Sequence, residues 1–352
     1  MRSKELSDCT IDVLIPALNE SACIGPTIKA LFVAAAAWPC RIELIVVDDG
    51  STDGTPQIVR RLAQRFPIRL LELTRNFGKE AALLAGLDHA HGDATVIMDA
   101  DLQHPVAAIG EFIERWQEGY DCVFAVRANR NDESVLKRTL TRLFYLFVNG
   151  GSRSPIPRTA LDFRLPDRAA VEALCSMRER VRFSKGLYAW LGFRSLAVPV
   201  VPEPRHGGAS HFSLRALLRL GRDGMTSFSD WPLVLSGLTG MIVASASLAY
   251  GVYITLDTLF FGIDVPGWAT LTVALCFIGG LQLLFLGVIG QYVRALFIEA
   301  KQRPNYLIKK TATAEPLEFE PKPVRSAHET LPPARLARDE YRELATTTDA
   351  HA

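Results

Sequence analysis

Ala94-Thr95-Val96-Ile97-Met98-Asp99-Ala100-Asp101-Leu102-Gln103-His104-Pro105 is the stretch on which the fold turns. A short apolar run bounded by polar residues reads as a strand buried on both faces. Alternate residues of a strand point the same way, so Asp99, Asp101 and Gln103 are expected to line up where the chain leaves the sheet. Two carboxylates and an amide oxygen converging there make a hard-oxygen set. It suits Mg²⁺ or Mn²⁺ carrying a diphosphate. A lone D-x-D is also common as two solvated loop aspartates, so the weight falls on what surrounds it.

Working outward, the chain alternates strand and helix. Ile11-Asp12-Val13-Leu14-Ile15 reads as a strand ended by Pro16, and Ser21 or Asn19 is placed to cap a helix through Ile24 to Ala37. Leu44 to Val47 is a second strand. Thr55 to Arg65 is a helix with Pro56 in its first turn. Leu70 to Leu73 is a third strand, Lys79 to Ala90 a helix, and Ala94 to Met98 the fourth strand. Apolar strands alternating with helices predict a mostly parallel α/β sheet covered on both faces. Ligands of such sheets bind beyond the strands' carboxyl ends. The polar loops fall there: Pro16 to Glu20, Asp48 to Thr55, Thr74 to Lys79, and Asp99 to Asp101. In a sheet so arranged, all four are expected to share one crevice. No G-x-G-x-x-G and no G-x-x-x-x-G-K-[ST] is present, so neither dinucleotide nor P-loop phosphate binding is indicated.

The rest of the chain is of a different kind. Trp231 to Leu256 and Val265 to Val293 contain no charged residue, and each exceeds the roughly 20 residues that cross a bilayer as a helix. Arg215, Arg219 and Arg222 precede the first stretch. Arg294, Lys301, Arg303, Lys309 and Lys310 follow the second, while the connector from Asp257 to Asp264 has no Lys or Arg. That asymmetry predicts both chain ends in the cytoplasm. The expected organisation is an N-terminal extension (1–10), an α/β domain (11–210), a basic amphipathic helix in the membrane interface (211–230), two spans (231–257 and 265–293) and a tail (294–352) mostly disordered after 310. Residues 1–10 are polar, so no signal peptide is expected. Six scattered cysteines without C-x-x-C suggest neither a disulfide framework nor zinc. A net charge of +1 gives no pull toward nucleic acid.

Four motifs in order, Val13 to Glu20 (VLIPALNE), Val46 to Thr55 (VVDDGSTDGT), Arg75 to Leu87 (RNFGKEAALLAGL) and Met98 to Pro105 (MDADLQHP), resemble glycosyltransferase family 2. More narrowly they resemble its polyprenyl-phosphate glycosyltransferases, which include bacterial undecaprenyl-phosphate glucosyltransferases and dolichol-phosphate mannose synthases. The two spans are similar to those of the membrane-anchored bacterial members, and the resemblance covers about residues 10 to 310. It implies a GT-A fold, Rossmann-like and of the nucleotide-diphospho-sugar transferase kind. It also implies a nucleotide-sugar donor, Mg²⁺ or Mn²⁺, and inversion at the anomeric carbon.

Residue by residue, the resemblance implies that Asp48 and Asp49 hold the base or ribose. Pro16, Leu18 and Glu20 form the floor and edge of that pocket, and Asn76 and Lys79 complete the donor set. Asp101 and Gln103 would coordinate the metal, with Asp99 supporting it or meeting the sugar-phosphate. Arg127, Lys137, Arg138 and Thr141 match the segment for the lipid-phosphate head group. Asp162, in Leu161-Asp162-Phe163-Arg164-Leu165, matches a proposed base or acceptor-orienting residue. Arg205 and Ser210 match a further acceptor-phosphate motif. There His211 replaces the usual Lys and Phe212 the usual Tyr, which removes the guarantee of a permanent charge.

The expected activity is transfer of one sugar, glucose from UDP-glucose by family frequency, to undecaprenyl phosphate on the cytoplasmic face of the inner membrane. Expected partners are a UDP-sugar donor, undecaprenyl phosphate, membrane lipid, further copies of the chain (a homo-oligomer such as a tetramer) and a flippase, with no nucleic acid. Two rivals stand beside it. One is a processive polysaccharide synthase of the same superfamily, whose Q-x-x-R-W motif is absent here. The other is a non-catalytic membrane scaffold or flippase partner that kept the fold.

Overall fold

The computed structural model describes residues 9–128, 160–201, 231–261 and 267–313. The first half is the expected alternation: β1 (Thr10–Ala17), α1 (Ile24–Ala35), β2 (Arg41–Asp48), α2 (Thr55–Leu62), β3 (Ile68–Leu73), α3 (Lys79–Asp88), β4 (Ala94–Ile97) and α4 (Ala108–Gln117). Then come β5 (Cys122–Arg127), β6 (Ala160–Pro166), α5 (Arg168–Ser176), α6 (Ser184–Leu191) and β7 (Ser195–Val200). Two long helices, α7 (Trp231–Phe261) and α8 (Trp268–Ala300), precede a last strand, β8 (Ile308–Thr313).

The eight strands form one sheet in the order β7-β5-β6-β4-β1-β2-β3-β8. β3, β2, β1 and β4 are mutually parallel, while β6 runs antiparallel to both β4 and β5, and β8 antiparallel to β3. Strand alternation splits the core into two layers. Ile11, Val13, Ile15, Leu44, Val46 and Leu70 pack to one side with α1 and α4. Leu14, Ile45, Val47 and Leu71 pack to the other with α3, α5 and α6. On that second side α3 lies so close to β1 that a Cβ on Gly86 would come within 2.0 Å of Leu14 Cδ1.

Several boundaries differ from expectation. β1 does not end at Pro16 but runs to Ala17, paired with β2 throughout. Leu14 bonds toward β4, since its carbonyl accepts the Met98 N–H, so Pro16 two residues on faces the same side. β4 pairs β1 only as far as Leu14–Ile97, and the missing N–H of Pro16 leaves no ladder bond unmade. β4 ends at Ile97, so Asp99 to Gln103 lie in a turn and strand alternation does not set their directions.

The two apolar helices are longer than the spans read from sequence. Within them Trp231–Ile254 and Phe277–Ala300 are each long and apolar enough to cross a membrane. The second helix therefore includes Arg294 and Glu299, which had been assigned to the tail. The chain after it is also ordered further than expected. Residues 311–313, expected to begin a mostly disordered tail, belong to β8 on the outer edge of β3. Lysines and threonines in Ile308–Thr313 gave no apolar alternation to find, because an edge strand faces solvent. The proposed interfacial helix at 211–230 lies outside the described residues.

Contacts fasten α8 and β8 to the α/β domain. Arg180 Nη1 pairs with Glu299 Oε1 at 3.0 Å, and the Arg180 N–H donates to Glu299 Oε2 at 3.0 Å. Arg180 Nε donates to the Arg303 carbonyl at 2.9 Å. The Tyr306 hydroxyl donates to Asp88 Oδ2 at 2.7 Å, and Arg178 meets the same oxygen at 2.6 Å. Cys9, Cys23 and Cys122 are buried.

Candidate active site

The site is built where β4 and β6 leave each other. Their single paired position is Ile97 with Arg164, antiparallel. Two residues further out, that register sets Asp99 opposite Asp162. Lys79, the first residue of α3, closes the gap: its Nζ lies 2.6 Å from Asp99 Oδ1 and 3.2 Å from Asp162 Oδ2. Lys185, in the first turn of α6, faces the other oxygen, Asp162 Oδ1, at 3.6 Å and donates to the Ala160 carbonyl at 3.0 Å. His104 Nε2 stands 3.6 Å from Asp99 Oδ2, and its ring stacks on Phe163 at 4.9 Å between centroids.

Two carboxylates and two ammoniums thus alternate along one edge. Burial raises the proton affinity of Asp99, but Lys79 and His104 outweigh it and hold Asp99 well below the usual carboxylate range. The same balance, with Lys79 and then Lys185 prevailing over burial, keeps Asp162 low. Lys79 is held above its ordinary value: burial lowers it, and the two carboxylates more than compensate. All three side chains keep about a third or more of their surface open, so the cluster is reachable from solvent.

Asp101 is different. It is 6% exposed, and its Oδ1 accepts the Gln103 N–H at 3.1 Å. Between them Leu102 takes φ 59°, a left-handed conformation that a leucine adopts at a cost of about 1–3 kcal/mol. The turn is anchored from below by the buried Thr27 hydroxyl, which donates to the Ala100 carbonyl at 2.7 Å. Among the described residues no group of three or more His, Cys, Asp or Glu is placed to hold a metal unaided. A carboxylate with an amide-bearing residue two positions on in the same turn is a small hard-oxygen set. It fits an ion of the Mg²⁺ type, which keeps waters and takes further ligands from substrate phosphates.

The second cluster lies at the ends of β1, β2 and β3. Asp48 and Asp49 are both 3% exposed. Asp49 accepts the Phe77 and Gly78 N–H groups at 2.7 and 2.9 Å, and so ties the loop after β2 to the one before α3. Asp48 Oδ2 accepts the Ser51 N–H at 3.2 Å, and its Oδ1 is buried with no partner among the described residues. Burial pushes both above the ordinary value despite these bonds. A buried carboxylate oxygen without a donor is the arrangement that an incoming N–H or hydroxyl would complete. The two loops touch at Gly50, whose φ is 75° and where a Cβ would meet the Arg75 carbonyl carbon at 2.6 Å.

The other expected residues fall as follows. Pro16 is half-buried at the end of β1, and Leu18 is 38% exposed beside it. The Glu20 N–H donates to Thr55 Oγ1 at 2.9 Å. Asn76 is exposed, its carbonyl held by the Arg75 guanidinium at 2.9 Å. Arg127 ends β5 at the edge that also carries Asp162, because Val126 pairs with Ala160. Lys137, Arg138, Thr141, Arg205, Ser210 and His211 lie outside the described residues. Lys185 and His104 were not singled out from sequence. No local pattern marks Lys185, since only the β4–β6 register and the seating of α6 bring it to Asp162.

Comparison with known proteins gives this geometry its context. The Glycosyl transferase family 2 model matches residues 12–177, which include Asp48, Asp49, Lys79, Asp99 and Asp162 but stop short of Lys185. The SfII prophage-derived bactoprenol glucosyl transferase of Shigella flexneri is 40% identical over 307 residues, 87% of this chain and 99% of that protein. The chain belongs to glycosyltransferase family 2. The prophage bactoprenol glucosyl transferase homolog of Escherichia coli K12 is also 40% identical, over 85% of this chain and 98% of its own. Among solved structures, glucosyl-3-phosphoglycerate synthase of Mycobacterium tuberculosis, in complex with Mn²⁺, uridine diphosphate and glucosyl-3-phosphoglycerate, matches with a TM-score of 0.43. It is 23% identical, over 62% of this chain and 78% of that one. The mixed sheet, with its two long apolar helices, is a GT-A-like family 2 arrangement.

Proposed function

We propose that this enzyme transfers a single glucosyl unit from UDP-glucose to undecaprenyl phosphate at the cytoplasmic surface of the inner membrane. The observation that carries the proposal is the near full-length match to proteins named bactoprenol glucosyl transferase, 40% identical over 87% of the chain. The site agrees with it in chemistry.

Asp48, whose Oδ1 is buried without a partner among the described residues, takes a donor group of the nucleoside, and Asp49 keeps the two flanking loops together. Pro16, Leu18, Glu20 and Asn76 border that pocket. Asp101 and Gln103 would hold the divalent ion, Mg²⁺ or Mn²⁺, which when bound offsets the charge building on the departing diphosphate. Lys79 supplies a permanent cation on the donor side. A phosphate oxygen of the acceptor attacks the anomeric carbon from the face opposite the diphosphate. The bond to the diphosphate breaks as the new one forms, and configuration inverts.

No base is needed for that step, since a phosphate monoester is largely ionised near neutrality (second pKa about 6). Asp162, held ionised by two lysines, orients rather than deprotonates. Arg127, with Lys137, Arg138, Thr141, Arg205, Ser210 and His211, is assigned to the lipid phosphate. The two apolar helices keep the enzyme at the surface that its acceptor never leaves. The test is mass spectrometry of extracted lipid after purified enzyme is given undecaprenyl phosphate and a panel of nucleotide sugars. Hexosyl-phosphoryl-undecaprenol formed with UDP-glucose is the expected product. A different sugar entering the lipid would move the donor assignment, and no sugar entering it would refute the activity.

A further inference from the structure

Asp162 is gripped differently at its two oxygens. Oδ2 shares Lys79 with Asp99, whereas Oδ1, among the described residues, faces Lys185. Lys79 therefore stands between the donor-side loops and the acceptor side, and it has two carboxylates to serve. Lys185 serves one, and its ammonium is further fixed by the Ala160 carbonyl at 3.0 Å. It is also the better buried, with a side chain 26% exposed against 42% for Lys79.

The helices carrying the two lysines are fastened to each other. Glu80, next to Lys79, accepts the Ser184 N–H at 3.2 and 3.3 Å through its two oxygens, and it also binds the Ser184 hydroxyl. Ser184 in turn precedes Lys185. The first turns of α3 and α6 thus form one rigid corner that delivers both cations. Without substrate, two ammoniums balance two carboxylates. A nucleoside diphosphate arriving at the donor loops adds negative charge on the Lys79 side and competes for that lysine. If Lys79 turns toward it, Lys185 is the ammonium that, among the described residues, still pairs with Asp162.

We infer that Lys185 is the positioning residue for Asp162, holding the carboxylate in place while Lys79 is the exchangeable cation that moves to the donor's diphosphate. This rests on the functional proposal above and extends it to residues on α6. Lys185 acts through Asp162 and touches neither substrate, so its loss lowers turnover without weakening nucleotide binding. Lys79 contributes to both.

The test uses full-length enzyme in lipid nanodiscs. UDP affinity in the presence of Mn²⁺ is measured by calorimetry, and glucosyl transfer from UDP-glucose to undecaprenyl phosphate is measured on the same preparations. For Lys185→Met the expected result is UDP affinity within about twofold of wild type and kcat reduced about tenfold or more. Lys185→Arg should recover most of the turnover, because the charge returns at nearly the same reach. For Lys79→Met both UDP affinity and kcat should fall. Wild-type enzyme that binds UDP but transfers nothing would overturn the functional proposal itself. Wild-type enzyme that transfers, with Lys185→Met equally active or losing UDP affinity as Lys79→Met does, would overturn the division of labour. Failure of Lys185→Arg to recover turnover would overturn the positioning role as well.

Discussion

At the scale of single residues, the site is a set of carboxylates in three electrostatic situations. Asp48 and Asp49 are raised by burial, Asp99 and Asp162 are lowered by lysines, and Asp53 is lowered by hydrogen bonds alone. Burial pushes Asp53 up, but the Thr55 hydroxyl and N–H and the Ser21 N–H prevail and hold it at about 2, against an ordinary 3.8. Its oxygens lie 2.6 and 3.0 Å from the two Thr55 donors and 3.1 Å from the Ser21 N–H. Because the folded value is depressed, the stabilisation is present above about pH 4 and is lost as pH falls toward 2. Asp53→Ala should therefore cost about 1.5–3 kcal/mol near neutrality, as for lost hydrogen bonds to a charged acceptor. The gap from wild type should close between pH 4 and 2. Denaturant melts of both proteins across that range measure it, and a gap independent of pH would refute the assignment. The Asp99–Asp162 pair is the residue-scale feature that sequence reading could not supply. Asp99 is legible from the D-x-D after an apolar strand and Asp162 only through the family resemblance, but their opposition depends on β6 running antiparallel to β4, and nothing in Leu161-Asp162-Phe163-Arg164 announces direction. D-x-D spacing was legible. Its strand alternation was misleading, because β4 stops at Ile97 and a left-handed Leu102 then sets where Asp101 and Gln103 point.

At the scale of elements, the half of the sheet from β3 to β4 was legible because its strands are apolar on both faces and its helices fill the intervals. β8 was not, since an edge strand of lysines and threonines carries no burial signal. Its importance is mechanical. It caps the β3 edge, and the segment leading to it carries Tyr306 to Asp88 at the far end of α3, whose first residue is Lys79. Tyr306→Phe removes one hydrogen bond to a charged acceptor, expected to cost about 1.5–3 kcal/mol. Truncation after Lys301 removes the whole strand and exposes β3 as an unpaired edge, so aggregation should begin at a lower temperature than in the point variant. Thermal unfolding followed by light scattering in detergent checks both. A truncated chain that melts and stays soluble like wild type would show that β8 adds nothing to the sheet.

At the scale of the whole molecule, a family 2 domain is joined to two helices long enough to span a bilayer. The second of them continues into residues that grip the domain through Arg180 and Glu299. The proposed orientation places both chain ends and the catalytic edge on the cytoplasmic side. A reporter fused after Lys310 should report cytoplasm, and one inserted near Phe261 periplasm. Cytoplasmic signal at both positions would mean that the helices do not cross. The central claim is that glucose moves, one unit at a time, onto a lipid phosphate. It is tested most directly by giving wild-type enzyme and Asp101→Asn in nanodiscs UDP-glucose and undecaprenyl phosphate, and following UDP release and glucosyl lipid together. Wild type should form one glucosyl lipid per UDP released, with no longer saccharide. Asp101→Asn should be slower by about 10²- to 10³-fold, as for loss of one electrostatic stabiliser. UDP released with free glucose, a polymer longer than one hexose, or full activity in Asp101→Asn would contradict the account.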